Sequence, residues 1–130
     1  MPRVKVRGRV FSGLGEGGFY VSIYSRGFRH TLGFTPYPGT LNIRIDGDVM
    51  EIKRCLESGG IRVGPPRIPG VKLGAVRVYP AWLKGVHVYV VRPEITVYKY
   101  DVLEVIAGIY LRGLLGLRDG DEVEVEVECG

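Results

Sequence analysis

The stretch Glu122-Val123-Glu124-Val125-Glu126-Val127-Glu128 decides the fold. Valine and glutamate alternate without a break, so one face is apolar and the other charged, the pattern of a strand on a half-buried sheet. The chain opens on its electrostatic counterpart. Arg3, Lys5, Arg7 and Arg9 alternate with mainly apolar residues along the first strand. Opposite charges facing each other across neighbouring strands contribute roughly 0.2–1 kcal/mol per pair. The two terminal strands are therefore expected to be neighbours in a closed sheet, with the charged rows meeting in solvent. Closure removes the exposed sheet edges that a run of short strands would otherwise leave.

Working inward, strand signals recur at Val4–Phe11, Phe19–Tyr24, Thr40–Ile45, Gly60–Val63, Val71–Tyr79, a hairpin over 81–91 turning near Lys84-Gly85, Val102–Ala107 and Glu122–Glu128. Helical stretches are few. A short one over Arg26–Leu32 ends at Gly33, one over Asp48–Glu57 stops at Ser58-Gly59-Gly60, and a third over Ile109–Leu115 stops at Gly116. The segment Gly64 to Gly70 reads as an exposed loop. The 20 glycines and 8 prolines favour turns and short strands. The expectation is one domain over residues 1–130, mainly β with a few short helices, a barrel or a sandwich, and the matched terminal strands favour the closed barrel.

Composition bounds the function. Hydrophobic content of 45% with 25% charged residues is that of an ordinary globular chain. No apolar run approaches the roughly 18 residues of a membrane span, and the first residues carry no apolar signal core. A cytoplasmic protein without a membrane role is expected. The net charge of +4 invites an anionic partner. If the N-terminal basic row is paired with the C-terminal glutamates, it is a poor nucleic-acid footprint. Cys55 and Cys129 have no metal-ligand spacing and read as reduced, structural thiols, and His30 and His87 stand alone.

Three segments carry candidate chemistry. In Pro36-Tyr37-Pro38-Gly39-Thr40-Leu41-Asn42 a rigid turn leads into a strand. Thr40 and Asn42 are two residues apart on that strand and share a face. Two neutral oxygens so placed suit Mg²⁺, which keeps most of its waters and takes its charge from substrate phosphates; the competing reading is a turn cap beside a surface residue. Gly13-Leu14-Gly15-Glu16-Gly17-Gly18 satisfies G-x-G-x-x-G. The β-branched and aromatic residues that follow argue against a dinucleotide fold, which needs a helix there. What remains is a turn between two strands, either a simple connection or a row of free amides able to face an anion. Glu104 shares a strand face with Val102 and Ile106, so it is a buried functional carboxylate or half of an ion pair. Arg112 is either an anion-binding guanidinium or an exposed helix arginine. Tyr98, Tyr100, Tyr110, Phe34 and Tyr37 offer aromatic surface nearby.

Taken together and in this order, Phe11-Ser12-Gly13-Leu14-Gly15-Glu16-Gly17, Gly33 to Asn42, and Glu104-Val105-Ile106-Ala107 with Leu111-Arg112 resemble the archaeal CTP-dependent riboflavin kinase family, over Arg7 to Val127. The resemblance implies a small closed six-stranded cradle-loop β-barrel that transfers the CTP γ-phosphate to the riboflavin 5′-hydroxyl, giving FMN and CDP, with Mg²⁺. It implies nucleotide contacts at Gly13, Leu14, Gly15, Glu16, Gly17, Gly18, Ile109, Tyr110, Leu111 and Arg112. It further implies metal ligands at Thr40 and Asn42 and flavin contacts at Thr96 and Glu104, with Glu104 the candidate base or orienting group. The chain departs from the family pattern at Gly108, where proline is common, and at Tyr98, where histidine is frequent. A stand-alone barrel, without the N-terminal winged-helix domain of some relatives, is expected. A monomer acting on small molecules, without nucleic acid or membrane, is expected. The rival is a non-enzymatic barrel. The ending Leu114-Leu115-Gly116-Leu117-Arg118-Asp119-Gly120-Asp121-Glu122-Val123-Glu124-Val125 resembles that of related barrel domains, including small swapped-hairpin DNA-binding regulators.

Overall fold

A computed structural model describes residues 2–13, 15 and 17–130. The elements run β1 (Arg3–Phe11), α1 (Gly17–Leu32), β2 (Leu41–Ile45), α2 (Met50–Glu57), β3 (Ile61–Val63), β4 (Val76–Leu83), β5 (Val86–Pro93), β6 (Val102–Ile106), α3 (Leu111–Leu115) and β7 (Glu122–Glu128). Six antiparallel strands close in the order β4-β5-β6-β2-β1-β7, with β7 pairing back onto β4. Strand β3 adds to the free part of the same β4 edge. It pairs with Val76 to Val78, while β7 takes Ala81 to Leu83.

The terminal strands meet as their patterning requires. Arg3 lies opposite Glu128, Lys5 opposite Glu126, Arg7 opposite Glu124 and Arg9 opposite Glu122. Arg7 reaches both Glu122 and Glu124, at 3.8 and 3.6 Å, and Arg9 reaches Glu122 at 3.6 Å. These exposed pairs are weak singly and align the closure by register. The β4–β5 hairpin turns at Lys84 and Gly85, φ 48° and 77°, the two successive left-handed residues of a type I′ turn.

Alternation along the strands divides the core in two. Tyr79, Ala81 and Leu83 of β4 point into the barrel with Ile43, Leu103, Val105, Val125 and Val127. Helix α2 plugs this interior with Ile52, Cys55 and Leu56, and the Tyr79 hydroxyl donates to the Leu56 carbonyl at 2.6 Å. The opposite faces of β4, β5 and β6 carry Val76, Val78, Val91 and Ile106, which pack under Val21, Tyr24 and Phe28 of α1.

Two expectations change here. The segment Phe19–Tyr24 is not a strand but the start of a 16-residue helix. Its buried residues fall at 21, 24 and 28, a helical stripe. Burying that stripe on the outer face of the barrel outweighs the local β-propensity of Tyr20, Val21 and Ile23. Gly27 allows the close approach: a Cβ there would sit 2.8 Å from the Val63 side chain. The glycine segment therefore runs from a strand into a helix, not between two strands. The fold is still not a dinucleotide fold, because the sheet is antiparallel and closed. The cysteines also differ from expectation. Cys55 and Cys129 form a disulfide, Cα to Cα 5.1 Å, that fastens the end of β7 to α2 across 74 residues of sequence. Burial of Cys55 in the barrel interior beside the last strand brings the two together. The remaining strand boundaries shift by a few residues, most at β4, which begins at Val76 rather than Val71.

Candidate active site

The site lies on the outer face of the barrel, where α1 and the β5–β6 connection flank strands β2 and β6. Strand pairing sets a lateral row there. Phe11 of β1 faces Asn42 of β2, Asn42 faces Glu104 of β6, and Glu104 faces Val91 of β5. The inner neighbours Leu41, Ile43, Leu103 and Val105 are core, so alternation forces Asn42 and Glu104 outward together.

Thr40 and Asn42 do share a face. Thr40 Oγ1 donates to Asn42 Oδ1 at 3.1 Å, and Asn42 is only 8% exposed. The glycine segment lies directly on this pair. A Cβ on Gly13 would run into the Asn42 amide and stand 2.6 Å from the Tyr98 hydroxyl. One on Gly17 would stand 2.5 Å from Thr40 Oγ1. Glycine at 13 and 17 is thus required by close approach, at the point where α1 begins. The first turn of α1 carries no acidic residue among those described. Leu14 and Glu16 lie outside the described residues.

Two clefts meet at Thr40. The larger, about 250 Å³, is bounded by Gly15, Gly17, Thr40, Asn42, Thr96 and Glu104, with Tyr20 as its α1 wall. The smaller, about 50 Å³, is bounded by Thr40 and by Ile109, Tyr110, Leu111 and Arg112, with Tyr37 across from Tyr110 at a ring separation of 5.0 Å. The sequence-predicted residues thus converge on one region but split between two compartments, with Gly15 and Gly17 on the Glu104 side. Thr96 Oγ1 accepts from the Tyr98 amide at 3.1 Å, which shapes the connection between β5 and β6.

Electrostatics distinguishes the carboxylates. Burial holds the Glu104 carboxyl above its usual value, with Arg92 opposing the shift. Glu104 belongs to no ion pair among the described residues, and Arg92 is the cation that acts on it. Arg112 is engaged rather than free: it donates to Asp119 at 2.7 Å and to the Phe11 carbonyl at 3.4 Å. Asp119 also accepts from Ser12 Oγ at 2.7 Å, and the Ser12 and Arg112 hydrogen bonds hold its carboxyl below the usual value.

Sequence reasoning missed Asp119 and Tyr20. Asp119 has no signal beyond membership of a D-G-D turn. Tyr20 was hidden by reading its segment as a strand. Its hydroxyl is buried without a hydrogen-bond partner, and burial, with Tyr24 and Glu104 adding to it, raises its pKa.

Thr40 and Asn42, joined by their hydrogen bond, present two neighbouring neutral oxygens of the kind a hard cation would take. Adjacent ligands on an octahedron with bonds of about 2.1 Å stand about 3.0 Å apart, close to the 3.1 Å seen between Thr40 Oγ1 and Asn42 Oδ1. Among the described residues no cluster of three or more His, Cys, Asp or Glu offers an alternative seat. A cation at Thr40 and Asn42 would take its compensating charge from a ligand.

Comparison with known proteins gives one consistent result. The family profile for the CTP-dependent riboflavin kinase domain, described as a domain of unknown function, DUF120, matches residues 10–127. A riboflavin kinase of Aeropyrum pernix is 52% identical over 118 residues, covering 89% of each chain. Riboflavin kinases of Pyrobaculum arsenaticum and Archaeoglobus fulgidus are 49% and 45% identical over 95% of this chain, which spans 60% and 54% of their lengths. No helix among the described residues is long and apolar enough to cross a membrane. A profile match over most of the barrel and identity near one half place this chain in the CTP-dependent riboflavin kinase family.

Proposed function

We propose that the protein transfers the γ-phosphate of CTP to the 5′-hydroxyl of riboflavin, releasing CDP and FMN. Family membership carries the phosphotransfer to an alcohol and the riboflavin substrate. The observation that carries the mechanism is the junction of two clefts at Thr40. Phosphoryl transfer is chiefly positioning and charge neutralisation, with donor and acceptor brought in line. Two compartments that share one wall suit a reaction between two bound molecules.

In this reading the cytidine base sits in the smaller cleft, against Ile109, Tyr110, Leu111 and Arg112. Its phosphates extend past Thr40 to the amides of Gly13, Gly15, Gly17 and Gly18 and the start of α1. Leu14 and Glu16, which stand between these glycines in the sequence, are assigned to the nucleotide with them. Riboflavin occupies the larger cleft, where Thr96 and Glu104 contact it. The rim there suits a broad apolar ring: Ile95 and Val97 are 69% and 78% exposed. Glu104 orients the ribityl hydroxyl and accepts its proton, a role favoured by burial that brings its pKa toward neutrality. Mg²⁺ held by Thr40 and Asn42 would supply positive charge to the phosphate oxygens. Arg112, steadied by Asp119, faces the nucleotide side.

The test is FMN formation measured with CTP, ATP, GTP and UTP in turn, with and without Mg²⁺. Turnover with CTP and Mg²⁺ is expected. Equal turnover with all four triphosphates would remove the assignment of CTP, and absence of FMN with every donor would remove the function.

A further inference from the structure

Tyr20 is an anomaly in the outer cleft. It sits in the first turn of α1, its ring is tilted against Tyr24 at 4.9 Å, and its hydroxyl is sealed from solvent with no partner. Tyr24, one turn on, spends its own hydroxyl on the Gly74 carbonyl at 2.6 Å. A buried hydroxyl left without a partner destabilises the fold. Phenylalanine would fill the same space without that cost. Glu104 borders the same cleft and makes no side-chain hydrogen bond among the described residues. Tyr20 and Glu104 line the same cleft, and after burial and Tyr24 the Glu104 carboxylate adds to the rise in the Tyr20 pKa. One is a donor without an acceptor, and the other is an acceptor without a donor.

We propose that Tyr20 is a positioning residue for the phosphoryl-transfer step. When substrate fills the cleft, its hydroxyl donates to one oxygen of Glu104, leaving the other oxygen turned to the ribityl hydroxyl. This inference rests on the role proposed for Glu104. The groups facing Glu104 are Tyr20 from α1, Arg92 from β5, neutral Asn42 from β2, and Thr96 and Tyr98 from the β5–β6 connection. Arg92 spends guanidinium donors on the carbonyls of Tyr98 and Lys99, at 3.0 and 3.1 Å. Tyr20 is left as the α1 donor for the carboxylate.

The experiment compares Tyr20→Phe, Glu104→Gln and the double variant in FMN formation at saturating CTP and Mg²⁺, with melting temperatures alongside. Tyr20→Phe is expected to fold with an unchanged or higher melting temperature. Its kcat is expected to fall by about tenfold, the equivalent of one lost hydrogen bond, with KM for CTP unchanged. The acid limb of its kcat/KM profile is expected to move upward, because a donor to the carboxylate favours the charged form. In the Glu104→Gln background, Tyr20→Phe is expected to add no further loss. Wild-type kcat in Tyr20→Phe while Glu104→Gln is impaired overturns the role of Tyr20 alone. Losses that multiply in full in the double variant also overturn it. Wild-type rates in Glu104→Gln overturn the role of Glu104 and this inference with it.

Discussion

Arg112 of α3 donates to Asp119 across 2.7 Å. The same carboxylate takes the Ser12 hydroxyl at 2.7 Å, so one exposed aspartate ties α3 to the start of the glycine segment. Asp119→Asn is expected to raise KM for CTP several-fold while leaving KM for riboflavin within twofold, since it loosens only the nucleotide wall. The dependence on pH follows from its depressed pKa. The tie is intact above the unfolded value of 3.8 and is lost as pH falls through the still lower folded pKa. Steady-state kinetics with each substrate varied in turn measures the split. An equal rise in both KM values would show that Asp119 acts on the whole fold.

Thr40 and Asn42 are expected to govern metal response together. Thr40→Val keeps the shape and removes Oγ1; Asn42→Ala removes Oδ1. Each is expected to lower FMN formation by about 100-fold or more, the usual scale for losing charge stabilisation at a reacting group. The Mg²⁺ concentration giving half-maximal rate should rise with it. Titration of Mg²⁺ at fixed CTP is the measurement, and an unchanged half-maximal concentration removes the metal assignment. Asn42 is buried, so a melting curve of Asn42→Ala must accompany it.

The strand register was legible because Glu122 to Glu128 and Arg3 to Arg9 write the pairing in alternate charges, and the structure aligns them residue for residue. Thr40 and Asn42 were legible for a similar reason: a spacing of two on a strand is geometry. The helix α1 was not. Its apolar stripe, Val21, Tyr24 and Phe28, becomes visible only over eight residues, whereas Phe19–Tyr24 alone is rich in strand-forming types. That misreading hid Tyr20, whose place beside Glu104 depends on α1 crossing the outer face of β6. Asp119 was hidden because its partner Ser12 meets it only through the pairing of β1 with β7. The cysteine pairing was hidden by a separation of 74 residues, a distance over which sequence spacing carries no information about contact.

The disulfide gives a prediction of stability without chemistry. Joining residues 74 apart removes loop entropy from the unfolded chain, worth about 4 kcal/mol by the chain-entropy relation. Cys129→Ser is expected to lower the melting temperature by on the order of 10 °C or more. The kcat for FMN formation at 25 °C should stay within twofold, because the bridge lies at the α2 end of the barrel interior and borders neither cleft. Calorimetry of the variant beside the oxidised parent tests this. A melting temperature within 2 °C of the parent would mean that the unfolded chain is already restrained there.

Glu104 carries opposed consequences for stability and rate. Burial raises its folded pKa above the unfolded value of 4.5. The folded protein therefore holds this proton more tightly than the unfolded chain does. Stability from this group is fully present below 4.5 and declines as pH rises through the folded pKa. At pH 7 the buried carboxylate is a liability, and Glu104→Gln is expected to melt higher than the parent. Near pH 4 the two should melt together. Activity should move the other way, falling by about 10²–10⁴-fold at pH 7 if the carboxylate accepts the ribityl proton. Melting curves at both pH values, with FMN formation at pH 7, separate the cases. A variant that gains no stability at pH 7 contradicts the raised pKa. One that gains stability and keeps its rate shows a buried carboxylate that holds riboflavin without taking its proton.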